Sequence, residues 1–229
     1  MDVNSPPAAR QTQPGRQTSG RIREARSNDL AVLVAAKEIF TERGWSAPMS
    51  AIAERAGVGI GSLYRRYPSK EALAQALQIA AMDQIREIAE DCIEQVPAEL
   101  VFTTFLNRYQ VDSFGPLVSI LGGHVPDPPE VHAAADRMRD SLQRVVDVAR
   151  SCKQIPEDYG TTDILLIIIH LRGALPGDPA TVVRYTQRLL EPLLAGLREM
   201  ASAGPRRGEN AAPTPQWDEW VDFWVGRRR

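Results

Sequence analysis

The sequence predicts an all-α fold, on three observations. Apolar residues recur at three- and four-residue spacing through most of the 229-residue chain. No alternating apolar–polar run of useful length marks a strand. Gly, Pro and Ser fall at the joins where helices stop and start. With 43% hydrophobic and 24% charged residues, the chain can bury one substantial core or two small ones. The longest apolar run, ILLIIIHL at 164–171, is eight residues, whereas a membrane span needs about 20, so no membrane partner is expected. Cys92 and Cys152 lack CxxC spacing, which points away from a disulfide framework or zinc site and toward a cytoplasmic location. The first 25 residues are rich in Pro, Gln and Arg without an apolar segment, unlike a secretory signal.

Residues 1–27 read as a disordered basic arm, because Pro6, Pro7, Pro14 and Gly15 break structure and almost nothing there can be buried. A first helix is predicted over 28–43. Asn28 caps it, and Leu30, Leu33, Ala36, Ile39 and Phe40 carry its apolar face. Gly44 ends it. A second helix follows, with Ser46 or Ala47 as cap and Pro48 in its first position. Met49, Ile52, Ala53 and Ala56 form its stripe, and Gly57 supplies the left-handed turn after it. A third helix runs from Ile60 to Tyr67 and stops before Pro68. Ser69 caps a fourth helix of about 27 residues, ~40 Å long, carrying Leu73, Leu77, Ala80, Ile85, Ile88 and Cys92 and ended by Pro97. Further helices are expected near 98–112, 129–152, 161–174 and 179–203. The Gly- and Pro-rich stretch 113–128 reads as a loop or broken helix.

The second and third helices, each about two turns and joined by a Gly-containing turn, have the make-up of a helix-turn-helix, whose second helix enters the major groove of DNA. With Leu63 and Tyr67 inward, the opposite face holds Gly61, Ser62, Arg65 and, toward one edge, Tyr64; Gly59, Ile60 and Arg66 join them as candidates for DNA binding. Glycine costs about 1 kcal/mol against Ala in a helix; close approach of DNA compensates for this, or else a tight helix–helix contact does. The Ser62 and Tyr64 hydroxyls suit phosphate oxygens, and Arg65 or Arg66 suits a phosphate or a guanine edge. Lys70 sits in the first turn of the fourth helix, where the helix dipole disfavours a cation. Either it is simply solvated there, or a phosphate bound at the same helix end reverses the sign. Charge supports the division. Residues 1–75 hold 11 Lys and Arg against 7 Asp and Glu, and the remainder 16 against 22. Five of those 11 lie before residue 27, so charge alone decides little.

The stretch IAERAGVGIGSLYRRYPSKEAL, residues 52–73, resembles the DNA-binding signature of the TetR family of bacterial transcriptional regulators. Ile52, Ala53, Ala56, Gly57, Val58, Gly61, Leu63, Tyr64, Ser69, Lys70, Glu71 and Leu73 stand at matching places. Gly59 replaces the usual Ser, Ser62 a Thr, Arg66 a His and Tyr67 a Phe; these departures bear on base specificity rather than fold. The resemblance implies a three-helix DNA-binding domain at 28–75 and a helical ligand-binding and dimerisation domain at 76–203. It further implies a homodimer on a double-stranded DNA operator, acting as a repressor released by a small-molecule inducer that alters the separation of the two recognition helices. No catalytic residue, metal or cofactor is implied.

The second domain carries no motif of its own. Met82, Ile85, Phe102, Phe105, Tyr109, Phe114, Met138, Leu142 and His170 are candidates for a ligand pocket, each equally readable as plain core. His124, His132 and His170 lack ligand spacing; His170 reads as a hydrogen-bonded core residue or a polar group in the pocket. Val182, Thr186, Leu189, Leu190, Leu193 and Leu197 belong to a stripe too wide for one contact, which suggests a four-helix dimer interface. Pro192 inside that pattern predicts a kink or break. After a linker at 204–215, Trp217, Trp220, Val221 and Trp224 share one face of a short tail. That face docks on this subunit, on its partner, or on another protein or a membrane surface. A competing interpretation is a helical small-molecule-binding protein or enzyme whose N-terminal unit is only structural. An activator or a nonspecific architectural protein is a third.

Overall fold

The computed structural model describes residues 15–112, 117, 121, 128–171, 179–204 and 216–220, with side chains from Asp29 onward. Eight helices are present among them: α1 Gly15–Arg43, α2 Met49–Arg55, α3 Ile60–Arg66, α4 Lys70–Gln95, α5 Ala98–Asp112, α6 Pro129–Ser151, α7 Thr161–Leu171 and α8 Pro179–Ala203. A further helical turn covers 217–220. No strand occurs among the described residues. None of these helices is long and apolar enough to cross a membrane.

Two expected boundaries move. α1 begins at Gly15, not at Asn28. Once residues 29–43 are packed, adding a turn ahead of them needs no new nucleus, and the Arg, Gln, Glu and Ala there are adequate helix formers. Residues 1–14 lie outside the described residues, as do Phe114, His124, Val221, Trp224 and most of 113–128. Pro48 is the N-cap of α2 rather than its first residue, with extended backbone at φ −77° and ψ 149°. The punctuating glycines behave as predicted: Gly44 and Gly57 take φ of +69° and +68°. Ser69 caps α4, its Oγ accepting from the Ala72 N–H at 3.1 Å. α8 runs unbroken through Pro192. That residue is on the exposed face, where solvent can reach the carbonyl its missing N–H leaves unpaired.

Two apolar cores organise the chain. The first joins Val32, Ala36, Ile39 and Phe40 of α1, Met49 and Ile52 of α2, Leu63, Tyr67, and Leu73, Ala74 and Leu77 of α4. Leu30, assigned by periodicity to this face, is 53% exposed, because the buried stripe of α1 centres on Val32, Ala36 and Ile39. The second core joins Ile88 and Cys92 of α4, Phe102, Phe105 and Leu106 of α5, Met138, Leu142 and Val145 of α6, Ile164 and Ile168 of α7, and Leu190, Leu194 and Leu197 of α8. α4 is common to both, and its most extensive packing is on α6. Leu117 and Leu121, from the stretch after α5, return to the first core, 4% and 1% exposed. Each fully buried Leu or Phe contributes about 1.5–3 kcal/mol of transfer free energy.

The described part of the tail, residues 216–220, packs on the same chain. Trp217 and Trp220 pack against the second core, and the Arg139 guanidinium of α6 lies 5.5 Å from the Trp217 ring centre. Truncation after Gly204 is expected to remove about 2 kcal/mol of apolar burial. Thermal denaturation should show a fall of ~4–8 °C; an unchanged melting temperature would reject the docking.

Candidate nucleic-acid interface

α3 has seven residues, too few to persist without tertiary support. It is held from behind by Leu63 and Tyr67, 2% and 9% exposed, both in the first core. The turn ahead of it is tied by the Val58 N–H donating to the Ala53 carbonyl at 3.0 Å. The Ser62 and Leu63 N–H groups both donate to the Gly59 carbonyl, at 2.9 and 3.1 Å. Gly59 occupies the N-cap and offers no side-chain bond to the free N–H groups of the first turn.

The outward face is open, as predicted. Gly59, Ile60, Gly61, Ser62, Tyr64, Arg65 and Arg66 are all exposed, Ile60 by 42% and Tyr64 by 48%. A Cβ built on Gly59 or Gly61 meets no atom within 4 Å. No helix–helix contact among the described residues therefore accounts for these glycines. Beside the face lies an open cleft of about 590 Å³, bounded by Asp29 and Val32 of α1 and by Gly59, Ser62, Arg65 and Arg66.

The cations divide by partner. Arg65 makes a long contact to Ser62 Oγ at 3.5 Å and otherwise points outward. Arg66 forms an ion pair with Asp29 of α1 and lies 5.9 Å from the Tyr67 ring centre. Lys70 is half-buried: its Nζ donates to the Trp45 carbonyl at 2.9 Å and sits 5.4 Å over the Trp45 ring. Trp45 itself stacks on Phe40, ring centres 5.5 Å apart. The unfavourable placement of Lys70 at a helix start is therefore offset first by Trp45, and the ammonium is held in place with two of its three donors not used by that carbonyl.

Sequence reasoning missed the clamp between α1 and α2. Arg55 donates to Glu38 at 2.8 Å and, bidentately, to Glu42 at 3.0 and 2.9 Å. The hydrogen bonds from Arg55 hold the Glu42 carboxyl below its ordinary value of 4.5, and Glu42 and Glu38 together push the Arg55 guanidinium up. The available signal was the i, i+4 pair of glutamates on α1, whose partner lies on another helix. The Trp45–Lys70 contact left no local pattern at all.

In the second domain, Phe102, Phe105, Tyr109, Met138 and Leu142 come together as buried core, with Met82 and Ile85 half-buried against them. His170 does not join them. Its ring is exposed, and Nδ1–H donates to the Leu166 carbonyl at 2.8 Å on the outer side of α7. The supposed interface stripe of α8 splits. Leu190 and Leu197 are 2% and 3% exposed in their own core, and Thr186 is buried with its hydroxyl donating to the Val182 carbonyl at 2.8 Å. Leu189 is 60% and Tyr185 55% exposed, and Val182 and Leu193 are half-buried. An i, i+4, i+7 stripe faces the subunit's own core first, and only its flank is left over.

The arrangement defines a helical protein with an N-terminal helix-turn-helix and a helical second domain. The family model described as bacterial regulatory proteins, tetR family, matches residues 32–77. The HTH-type transcriptional regulator UidR of Escherichia coli K12 is 45% identical over 67 residues, 29% of this chain and 33% of that protein. The chain therefore spans about a third of the length of the curated relatives it matches. A TetR transcription regulatory protein from Mycobacterium vanbaalenii is similar in structure with a TM-score of 0.57 at 22% identity, over 77% of this chain and 99% of that one. The TetR-like regulator LfrR of Mycobacterium smegmatis, solved in complex with proflavine, has a TM-score of 0.51 at 21% identity, over 73% and 96% of the two chains. Residues 32–77 thus match the model of the bacterial tetR-family regulatory proteins, and the chain as a whole is similar in fold to solved regulators of that kind.

Two outcomes test the site. Gly61→Ala is expected to raise stability by about 0.5–1 kcal/mol in urea denaturation, since helical Ala is favoured and the methyl meets nothing. The same methyl should weaken DNA binding in a gel shift; unchanged affinity would deny close approach. For Glu42, the folded carboxyl titrates below the unfolded one, so its contribution is full above about 4.5 and fades as pH falls through the depressed value. Glu42→Gln should accordingly lower stability at pH 7 and flatten its dependence between pH 5 and 3, followed by chemical denaturation.

Proposed function

We propose that this protein is a homodimeric, ligand-responsive transcriptional regulator, a repressor that leaves its DNA operator when a small molecule binds the second domain. The single observation that carries the reading is the lean outer face of α3: exposed, free of neighbours at both glycines, and anchored from behind by two buried side chains. The UidR relative supports it through the N-terminal domain, and a regulator of this fold, LfrR, is one solved with a small molecule bound. The protein acts without catalysis in the cytoplasm, where its operator is.

Ser62, Tyr64 and Arg65 reach the duplex directly from α3. Arg66, tied to Asp29, both braces α3 and meets the backbone at its edge. Lys70, pre-set by Trp45, meets a phosphate at the start of α4. Homodimerisation uses the remaining flank of α8, where Tyr185 and Leu189 are exposed, together with the half-buried side of α7 at Leu166, Ile167 and Ile169.

The test is selection of bound DNA from a random or genomic pool, followed by gel shifts on the selected sequence with and without candidate ligands. A preferred palindromic sequence supports the reading; failure to prefer any sequence favours a ligand-binding protein with a merely structural N-terminal unit. Replacing Lys70 by Ala should flatten the plot of log K against log salt by about 0.9, one phosphate's worth. An unchanged slope removes Lys70 from the contacts.

A further inference from the structure

The second domain contains a buried amide with nothing to bond. Gln110 lies on the stripe of α5 that begins with Phe102 and Leu106, at i, i+4 and i+8, and is 5% exposed. Neither its Nε2 nor its Oε1 has a hydrogen-bond partner. Three other buried polar side chains of the second domain are satisfied. The Ser141 hydroxyl donates to Glu90, that of Thr161 to Gln143 and that of Thr186 to Val182. Gln154 is half satisfied through the Glu99 carbonyl. A carboxamide carries two donors and an acceptor, and leaving all of them unpaired in a core is costly enough that the group calls for a partner from outside the fold.

Its level in the bundle is informative. α5 runs back along α4 after a short join, and Arg108 bonds Asp91 across the pair at 3.1 Å. Gln110, two places further on, continues the stripe of Phe102 and Leu106 past that level, away from the join. Nearer its start, α4 has no fully buried residue between Leu77, in the first core, and Ile88, in the second. Met82 and Ile85 come from this span and are only half-buried against the second core, to which Met138 of α6 also belongs. Unbranched methionine side chains are the ones able to move aside for a guest.

We propose that Gln110 is the polar anchor of a ligand site at this level of the bundle, walled by Met82, Ile85, Tyr109 and Met138. The ligand class is a neutral, mainly apolar molecule presenting an acceptor and a donor side by side, as an amide or lactam does. The two groups pair head to head with the Gln110 carboxamide through two hydrogen bonds. A charged ligand is disfavoured, since the amide offers no opposite charge in an apolar cluster. The proposal rests on the regulator reading for its purpose, and on the orphaned amide alone for its location.

The experiment uses the full chain and three probes of one shape: benzamide with donor and acceptor, acetophenone with acceptor only, and ethylbenzene with neither. Binding is measured by calorimetry, and stability by thermal denaturation. Gln110→Leu is expected to raise the melting temperature of the unliganded protein by ~3 °C, because it removes the unpaired groups. Wild type should bind benzamide at least ~10-fold more tightly than acetophenone and ethylbenzene, and Gln110→Leu should bring that ratio to near one. A lower melting temperature in the variant overturns the proposal. So does a wild-type preference below that ratio, no binding of any probe, or a ratio that survives the substitution. Gln110→Met gives the same comparison if the Leu variant does not fold, and failure of both to fold also counts against it. Gel shifts on selected DNA keep the two readings apart. Specific DNA binding without probe discrimination sinks this site alone, and absence of any DNA preference sinks the regulator reading.

Discussion

Everything at the N-terminal end depends on two side chains under α3. A seven-residue helix has too little hydrogen bonding to offset its own nucleation. Leu63 and Tyr67 supply what is missing by entering a core already built by α1, α2 and the start of α4. Because that burial holds the helix from one side only, the other side is released from any packing duty. It can therefore carry glycines and polar residues that would be poor choices in a helix packed on both faces.

The same logic explains why α4 is so long. Its first turns close the core that supports α3, and its last turns belong to the core of the second domain. One continuous helix thus ties two separately packed regions, and Leu117 and Leu121 make a second tie by returning to the first core. Between those ends, residues 78–87 of α4 include none that is fully buried.

Charge does different work in different places. The Arg55 clamp on Glu38 and Glu42 joins α2 to α1 at an exposed site, where an ion pair adds little stability. The Lys70–Trp45 contact and the Arg66–Asp29 pair hold cations near a surface proposed to meet phosphate. Holding them there reduces the side-chain entropy lost when a polyanion binds.

The local grammar of the sequence determined the all-helical fold, the turns at Gly44 and Gly57, the cap at Ser69 and the outward face of α3. Each follows from short-range physics, namely backbone conformation, capping and 3.6-residue periodicity. What needed the tertiary structure were the pairings between elements distant in the chain: Arg55 with α1, Lys70 with Trp45, Asp29 with Arg66. The same holds for the division of the α8 stripe between its own core and an open flank, the exposure of His170, and the docking of Trp217 and Trp220 under Arg139. Periodicity says that a residue lies on a face, but what covers that face depends on where the rest of the chain packs. For the same reason Gln110, an ordinary polar residue in a helical sequence, became notable only once its surroundings closed over it.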